Sequence, residues 1–191
     1  MSPIASRDRK SPSSDPAVLP SPLPEITRRP ALANGRYVVE ATLKPELPDV
    51  DGARALELLR AAGVFTAHRV RVGKLYELRG ALNLSHAQTA ARELLCDCVT
   101  QDFRILSSAA PSSNGGNAWR VEVWLKSTLA DSRGESAAHA LLELGVPQPL
   151  AVRCGLAYHI SGRCGCVQLE KAVNRLLANP ALHSFSVRED S

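Results

Sequence analysis

Five cysteines, five histidines and a set of paired basic residues are the side chains with chemistry to offer here. Gly162-Arg-Cys164-Gly-Cys166 approaches the Gly-x-Cys-x-Gly elbow that presents a nucleophilic thiol on a tight turn. It ends in Cys, and no later His-x-Glu completes a triad, so covalent catalysis by Cys164 is not expected. Cys96-x-Cys98 and Cys164-x-Cys166 could offer four thiolates to zinc, but zinc knuckles use Cys-x-x-Cys, and no metal is expected. A phosphate loop of the Gly-x-x-x-x-Gly-Lys-Ser/Thr kind is missing, so ATP binding by that route has no support. His68, His86, His139, His159 and His183 share no spacing and read as surface or packing residues. Arg71, Lys74 and Arg153 remain, with Lys44 and Lys126 as weaker candidates of the same type. Two readings stay open for them. They are solvated strand charges, or they are donors held on a rigid strand beside Gly73 and Gly155 for a carboxylate on a partner.

These residues belong to a pattern that returns. Val70-Arg71-Val72-Gly73-Lys74 comes back as Val152-Arg153-Cys154-Gly155-Leu156, and the 82-residue offset from Arg71 to Arg153 superimposes the flanking chain without a gap. Glu40 falls on Glu122, Lys44 on Lys126, Asp49 on Asp131, Gly52 on Gly134, Gly63 on Gly145 and Tyr76 on Tyr158. A period this long fits a whole small domain, not a solenoid turn, so the chain reads as a tandem duplication. The same offset sets Cys96 on Ala178 and Cys98 on Pro180, which suggests small buried residues at those places.

Tyr37, Val39, Ala41 and Leu43 alternate with Val38, Glu40, Thr42 and Lys44, the period of a half-buried strand, and Pro45 and Pro48 stop it. Asp49 stands where its side chain caps a helix, Gly52 fits the crowded first turn, and Gly63 ends it. A strand follows from His68 to Leu78, where Gly73 marks a bulge or a close approach. A second helix runs roughly from His86 to Cys96, and a short strand passes through Phe103 and Ile105. The second copy has strands at 119–126, about 150–161 and 184–187, with helices at 131–144 and about 168–178. Each unit is β-α-β-α-β and small for a core of its own. The expected fold is α+β: two units joined as an intramolecular pseudo-dimer, helices on one face of an antiparallel sheet.

Composition bounds the rest. Seven of the thirteen prolines fall in residues 1–35 among several serines, so this segment is expected to be a disordered tail, without the apolar core of a signal peptide. The units span 36–106 and 119–188, joined by a Gly/Ser/Asn-rich linker at 107–118. A net charge of +4 with 4% aromatic residues argues against nucleic acid, and no run is apolar for long enough to cross a membrane. An odd number of cysteines without a secretory signature suggests reduced thiols in a cytoplasm.

The order of motifs carries a resemblance. A strand ending Leu-Lys, Asp-x-x-Gly opening a helix that closes on Gly, Val-Arg-x-Gly-Lys with a Tyr two residues on, and Leu-Leu-Ala-Asn179-Pro180 before a short strand together resemble the PurS family. That family is the small subunit of phosphoribosylformylglycinamidine synthase in purine biosynthesis, and its units are related to the ferredoxin-like fold. Departures are visible: Lys74 is matched by Leu156, and Asn179-Pro180 by Asp97-Cys98. The resemblance implies a non-catalytic subunit that bridges a glutaminase, PurQ, and an ATP-dependent synthetase, PurL, so that ammonia passes between them. It makes the chain part of a glutamine-dependent carbon–nitrogen ligase complex, with ATP and Mg used by the synthetase and no cofactor here. Arg71, Gly73, Lys74, Arg153, Gly155, Lys44 and Lys126 become partner-interface candidates. Asp49, Gly52, Asp131, Gly134, Asn179 and Pro180 become motif residues that shape the fold. Further self-association stays open, and so does a second function, a tandem regulatory module that senses a small molecule between its halves.

Overall fold

The computed structural model describes residues 35–106, 117–148 and 150–190. The expected tail, up to residue 34, and the expected linker, up to residue 116, lie outside the described residues. The elements follow the apolar periodicities in order: β1 (Gly35–Leu43), α1 (Val50–Ala61), β2 (Ala67–Gly80), α2 (Leu84–Ala90) and β3 (Gln101–Leu106). Then come β4 (Ala118–Leu125), α3 (Ser132–Glu143), β5 (Leu150–Gly162), α4 (Cys166–Ala172) and β6 (His183–Glu189). Each element of the second half lies at the 82-residue offset from one of the first to within a residue or two. No helix among the described residues is long and apolar enough to cross a membrane.

The Asp-x-x-Gly motifs set the first helix of each half against its long strand. Asp49 Oδ1 accepts from the Gly52 amide at 2.7 Å, and its Oδ2 accepts from the Val72 amide at 2.8 Å on β2. Asp131 does the same for Gly134 at 2.9 Å and Cys154 at 2.6 Å. One carboxylate thus caps a helix and ties it to a strand. Glycine is needed beside it because a Cβ at Gly52 or Gly134 would run into the carbonyl oxygen of Val70 or Val152. Gly134→Ala should therefore lower stability by about 1–3 kcal/mol through overpacking. Urea unfolding of the full chain checks this, and an unchanged midpoint would contradict it.

Both second helices change pitch in their last turn, a difference from the plain α-helices expected at 86–96 and 168–178. Ala91–Leu95 and Val173–Leu177 form π turns, closed by Cys96 N donating to Ala91 O at 3.0 Å and Ala178 N to Val173 O at 2.8 Å. Five residues are too few for the apolar stripe to distinguish the two pitches.

All strands pair antiparallel in one six-stranded sheet of order β3-β1-β2-β5-β4-β6. The long central strands join the halves, running from Ala67 opposite Gly162 to Gly80 opposite Leu150. Lys74 faces Leu156 at the centre, and these are repeat equivalents. Hence the join is symmetric about that pair: Arg71 faces His159 just as Glu77 faces Arg153. No register shift occurs at Gly73; the irregularity lies between Ala67 and Arg69.

Helices cover one face of the sheet, and the apolar core beneath them falls into two clusters. In one, Ala55 and Leu59 of α1 with Val64 and Val70 meet Val121, Ile160, Leu169 and Val173 of the second half. In the other, Leu141, Val146 and Val152 of the second half complete a set containing Val39, Leu78, Ala87 and Leu95 of the first. Each cluster is built from both halves.

Candidate functional site

On the face without helices the strands carry a layer of ion pairs. Glu40, whose side chain is fully buried, is met by Arg104 Nε at 2.9 Å, Arg120 Nη1 at 2.8 Å and His159 Nε2. Burial pushes the Glu40 carboxyl up, but His159, Arg120 and Arg104 outweigh it and hold the group at about 2. Arg120, only 3% exposed, also meets Glu122 at 2.8 Å, and Arg188 closes on Glu122 from the edge strand. A second cluster gathers on Glu77: Arg36 at 2.5 Å, Arg79 at 3.0 Å and Arg153 at 3.3 Å. Burial raises the Glu77 carboxyl, and its bonds to Arg79 and Arg36 bring it below the ordinary value. Six arginines thus sit over three glutamates, so the face carries excess positive charge.

The residues singled out by the repeat lie in and around this layer. Arg71 donates to the carbonyls of Leu43 and Lys44, and Arg153 to the equivalent Leu125 carbonyl at 2.8 Å. Each guanidinium closes the end of the neighbouring strand, and that of Arg153 also stacks 5.7 Å from the Trp124 ring centroid. Gly73 and Gly155 make room for neighbours: an added Cβ would lie 2.8 Å from Glu40 Oε1 and 2.6 Å from Trp124 Cε3, respectively. The close approach is by side chains of the adjacent strands. Lys44 and Lys126 clamp the loops after the π turns, Lys44 Nζ donating to Cys98 and Val99 carbonyls at 3.0 and 2.9 Å, and Lys126 Nζ to that of Pro180 at 2.5 Å. Asn179 Oδ1 accepts from Ala181 N at 2.9 Å, and Asp97 takes the same place by accepting from Val99 N at 3.0 Å.

Lys74 stands apart from these. It points to the helix-covered face, into a cleft of about 970 Å³ between α1 and α3 with Tyr76, Cys154, Leu156 and Tyr158 in its floor. Burial drives the Cys154 and Cys96 thiols up to about 11, away from thiolate chemistry. Cys164 is buried in the core, where its sulfur accepts from Thr66 Oγ1 at 3.6 Å, while Cys98 and Cys166 are exposed. The expectation that Cys98 marks a small buried place holds only for its neighbour Cys96.

Sequence reasoning passed over the ionic layer. His159, set aside as a surface or packing residue, reaches Glu40 from the other half together with Arg120. The signal available was the repeat of Glu40 at Glu122, two carboxylates kept at the same place of a strand.

Comparison with known proteins places part of the chain. No curated protein matches it at a significant level. Among solved structures, PurS of B. subtilis in a C2 crystal form is 23% identical, over 37% of this chain and 94% of its own, with a TM-score of 0.35. A protein described as a glycine cleavage system transcriptional repressor is 13% identical, over 81% of this chain and 98% of its own, with a TM-score of 0.19. The family model of PurS, phosphoribosylformylglycinamidine (FGAM) synthase, matches residues 118–190. That stretch begins with the first residue of β4 and ends just past β6, so the likeness to the PurS family falls on the second half of the chain.

Proposed function

We propose that the chain is the non-catalytic small subunit of an FGAM synthase, a duplicated PurS in one polypeptide, and that it bridges a PurL-like synthetase and a PurQ-like glutaminase in the cytoplasm. The family match over 118–190 carries the reading, because the elements, the Asp-x-x-Gly ties and the lysine clamps of that half recur 82 residues earlier. Fusion keeps the two halves at an effective concentration of about millimolar, so their pairing does not depend on expression level. The face with excess arginine suits a partner surface bearing carboxylates, with Arg36, Arg79 and Arg188, each more than half exposed, as its outer donors. On this reading Arg71 and Arg153 hold the strand ends behind that face, and ATP and Mg belong to the synthetase.

Reconstitution tests it. With synthetase and glutaminase subunits from the same cells, FGAM formation from glutamine should require this chain, whereas formation from free ammonia should proceed without it. Glutamine-driven synthesis at full rate in its absence would refute the bridging role.

A further inference from the structure

The cleft beside Lys74 has no part in the bridging reading, and its chemistry stands independently of that reading. Its floor is the β2–β5 join and its walls are α1, α3 and the two π turns. Three cations line it, Lys74, Arg54 and Arg133, against one carboxylate, Asp51. None of the three cations has an ion pair or hydrogen bond among the described residues. Tyr158 is 8% exposed and Tyr76 half-buried; both line the cleft, and neither hydroxyl has a hydrogen-bond partner among the described residues. Both hydroxyls belong to a cationic cleft, where a ligand can accept from them.

Position within the repeat makes the cleft one-sided. Asp51 and Arg133 are equivalents, as are Arg54 and Ser136, and Lys74 and Leu156. Burial raises the Tyr76 phenol and the Arg133 charge opposes it, whereas Tyr158 is raised by burial and by the Asp51 charge. Positive charge therefore collects on the Arg133–Tyr76 side and at the centre, where Lys74 supplies a single ammonium. Leu58, Leu94, Leu156 and Leu176 add apolar surface to the lining. A volume of 970 Å³ suits a small organic molecule rather than a bare ion.

We propose that this cleft binds one phosphorylated small molecule per chain, its phosphate held by Lys74 and Arg133 with the tyrosine hydroxyls as donors and its body against the leucines. Two guanidinium- or ammonium-assisted bonds in one place favour a phosphate, and the unequal halves favour a single orientation.

Titration calorimetry of the full chain with AMP as the probe tests this. One saturable site per chain is expected, with inorganic phosphate competing for it. Lys74→Leu, which copies the residue already present at 156, and Arg133→Ser should each weaken AMP by about tenfold or more. Both positions are exposed, so the unliganded melting temperature should hold. Arg188→Ala, on the opposite face, should leave AMP affinity unchanged. No saturable heat with AMP, a lack of competition by phosphate, two sites per chain, or equal affinity in the Lys74 and Arg133 variants would each overturn the proposal, and none of them bears on subunit bridging.

Discussion

Residues 35–106, expressed without the second half, should fail to fold as a monomer. Leu59, Val64 and Val70 of that half are buried in one cluster with Val121, Ile160, Leu169 and Val173 of the other. Exposing three such side chains costs about 1.5–3 kcal/mol each, a sum comparable with the whole stability of a small domain at ~5–15 kcal/mol. The cut also strips β2 of its long partner and leaves a bare edge. Two copies could cover that edge by pairing with each other, but Lys74 would then face a second Lys74, like charges directly opposite. Residues 118–190 escape this penalty because Leu156 would face Leu156. Circular dichroism and sedimentation over a range of concentrations should show 35–106 unfolded at low concentration and 118–190 pairing more readily. An equimolar mixture of the two should form a heterodimer more stable than either alone. A folded, monomeric 35–106 fragment would refute the interlocked core.

Why so much of this was readable in the sequence has a local answer. Strand alternation, the Asp49 and Asp131 caps, Gly52 and Gly134, and the helix stops at Gly63 and Gly145 all act within a few residues of themselves, and the repeat doubled each signal. What stayed hidden depends on partners far along the chain. Glu40 reads as an ordinary outward strand residue until His159 and Arg120 arrive from the other half. Arg71 and Arg153 could be seen as a pair but not as clasps on strand-end carbonyls, because that requires knowing which strand lies alongside. Cross-packing of the cores was equally invisible, since an apolar stripe states that a face is buried and not what buries it.

Glu40 supplies the sharpest test of the long-range contacts. Glu40→Ala should destabilise the chain by about 3–5 kcal/mol, because Arg120 would stay buried with its main acceptor gone. One Arg120 nitrogen, Nη2, is already buried without a partner, and Glu122 on Nε would be the one carboxylate left to the guanidinium. A fall in melting temperature of about 10 °C or more is expected for a chain this size. Glu122→Ala, at the equivalent strand position but with a partly exposed carboxylate and a half-exposed Arg188, should cost less. Adding Arg120→Met to Glu40→Ala should recover part of the loss by removing the stranded charge. The pH dependence has a definite sign. The folded Glu40 carboxyl lies at about 2 against an ordinary 4.5, so its stabilising effect is complete above pH 4.5 and is lost as the pH falls towards 2. The gap in melting temperature between the native chain and Glu40→Gln should therefore be level above pH 4.5 and shrink below it. A gap that stayed constant down to pH 2 would mean that the buried carboxylate contributes nothing through its charge.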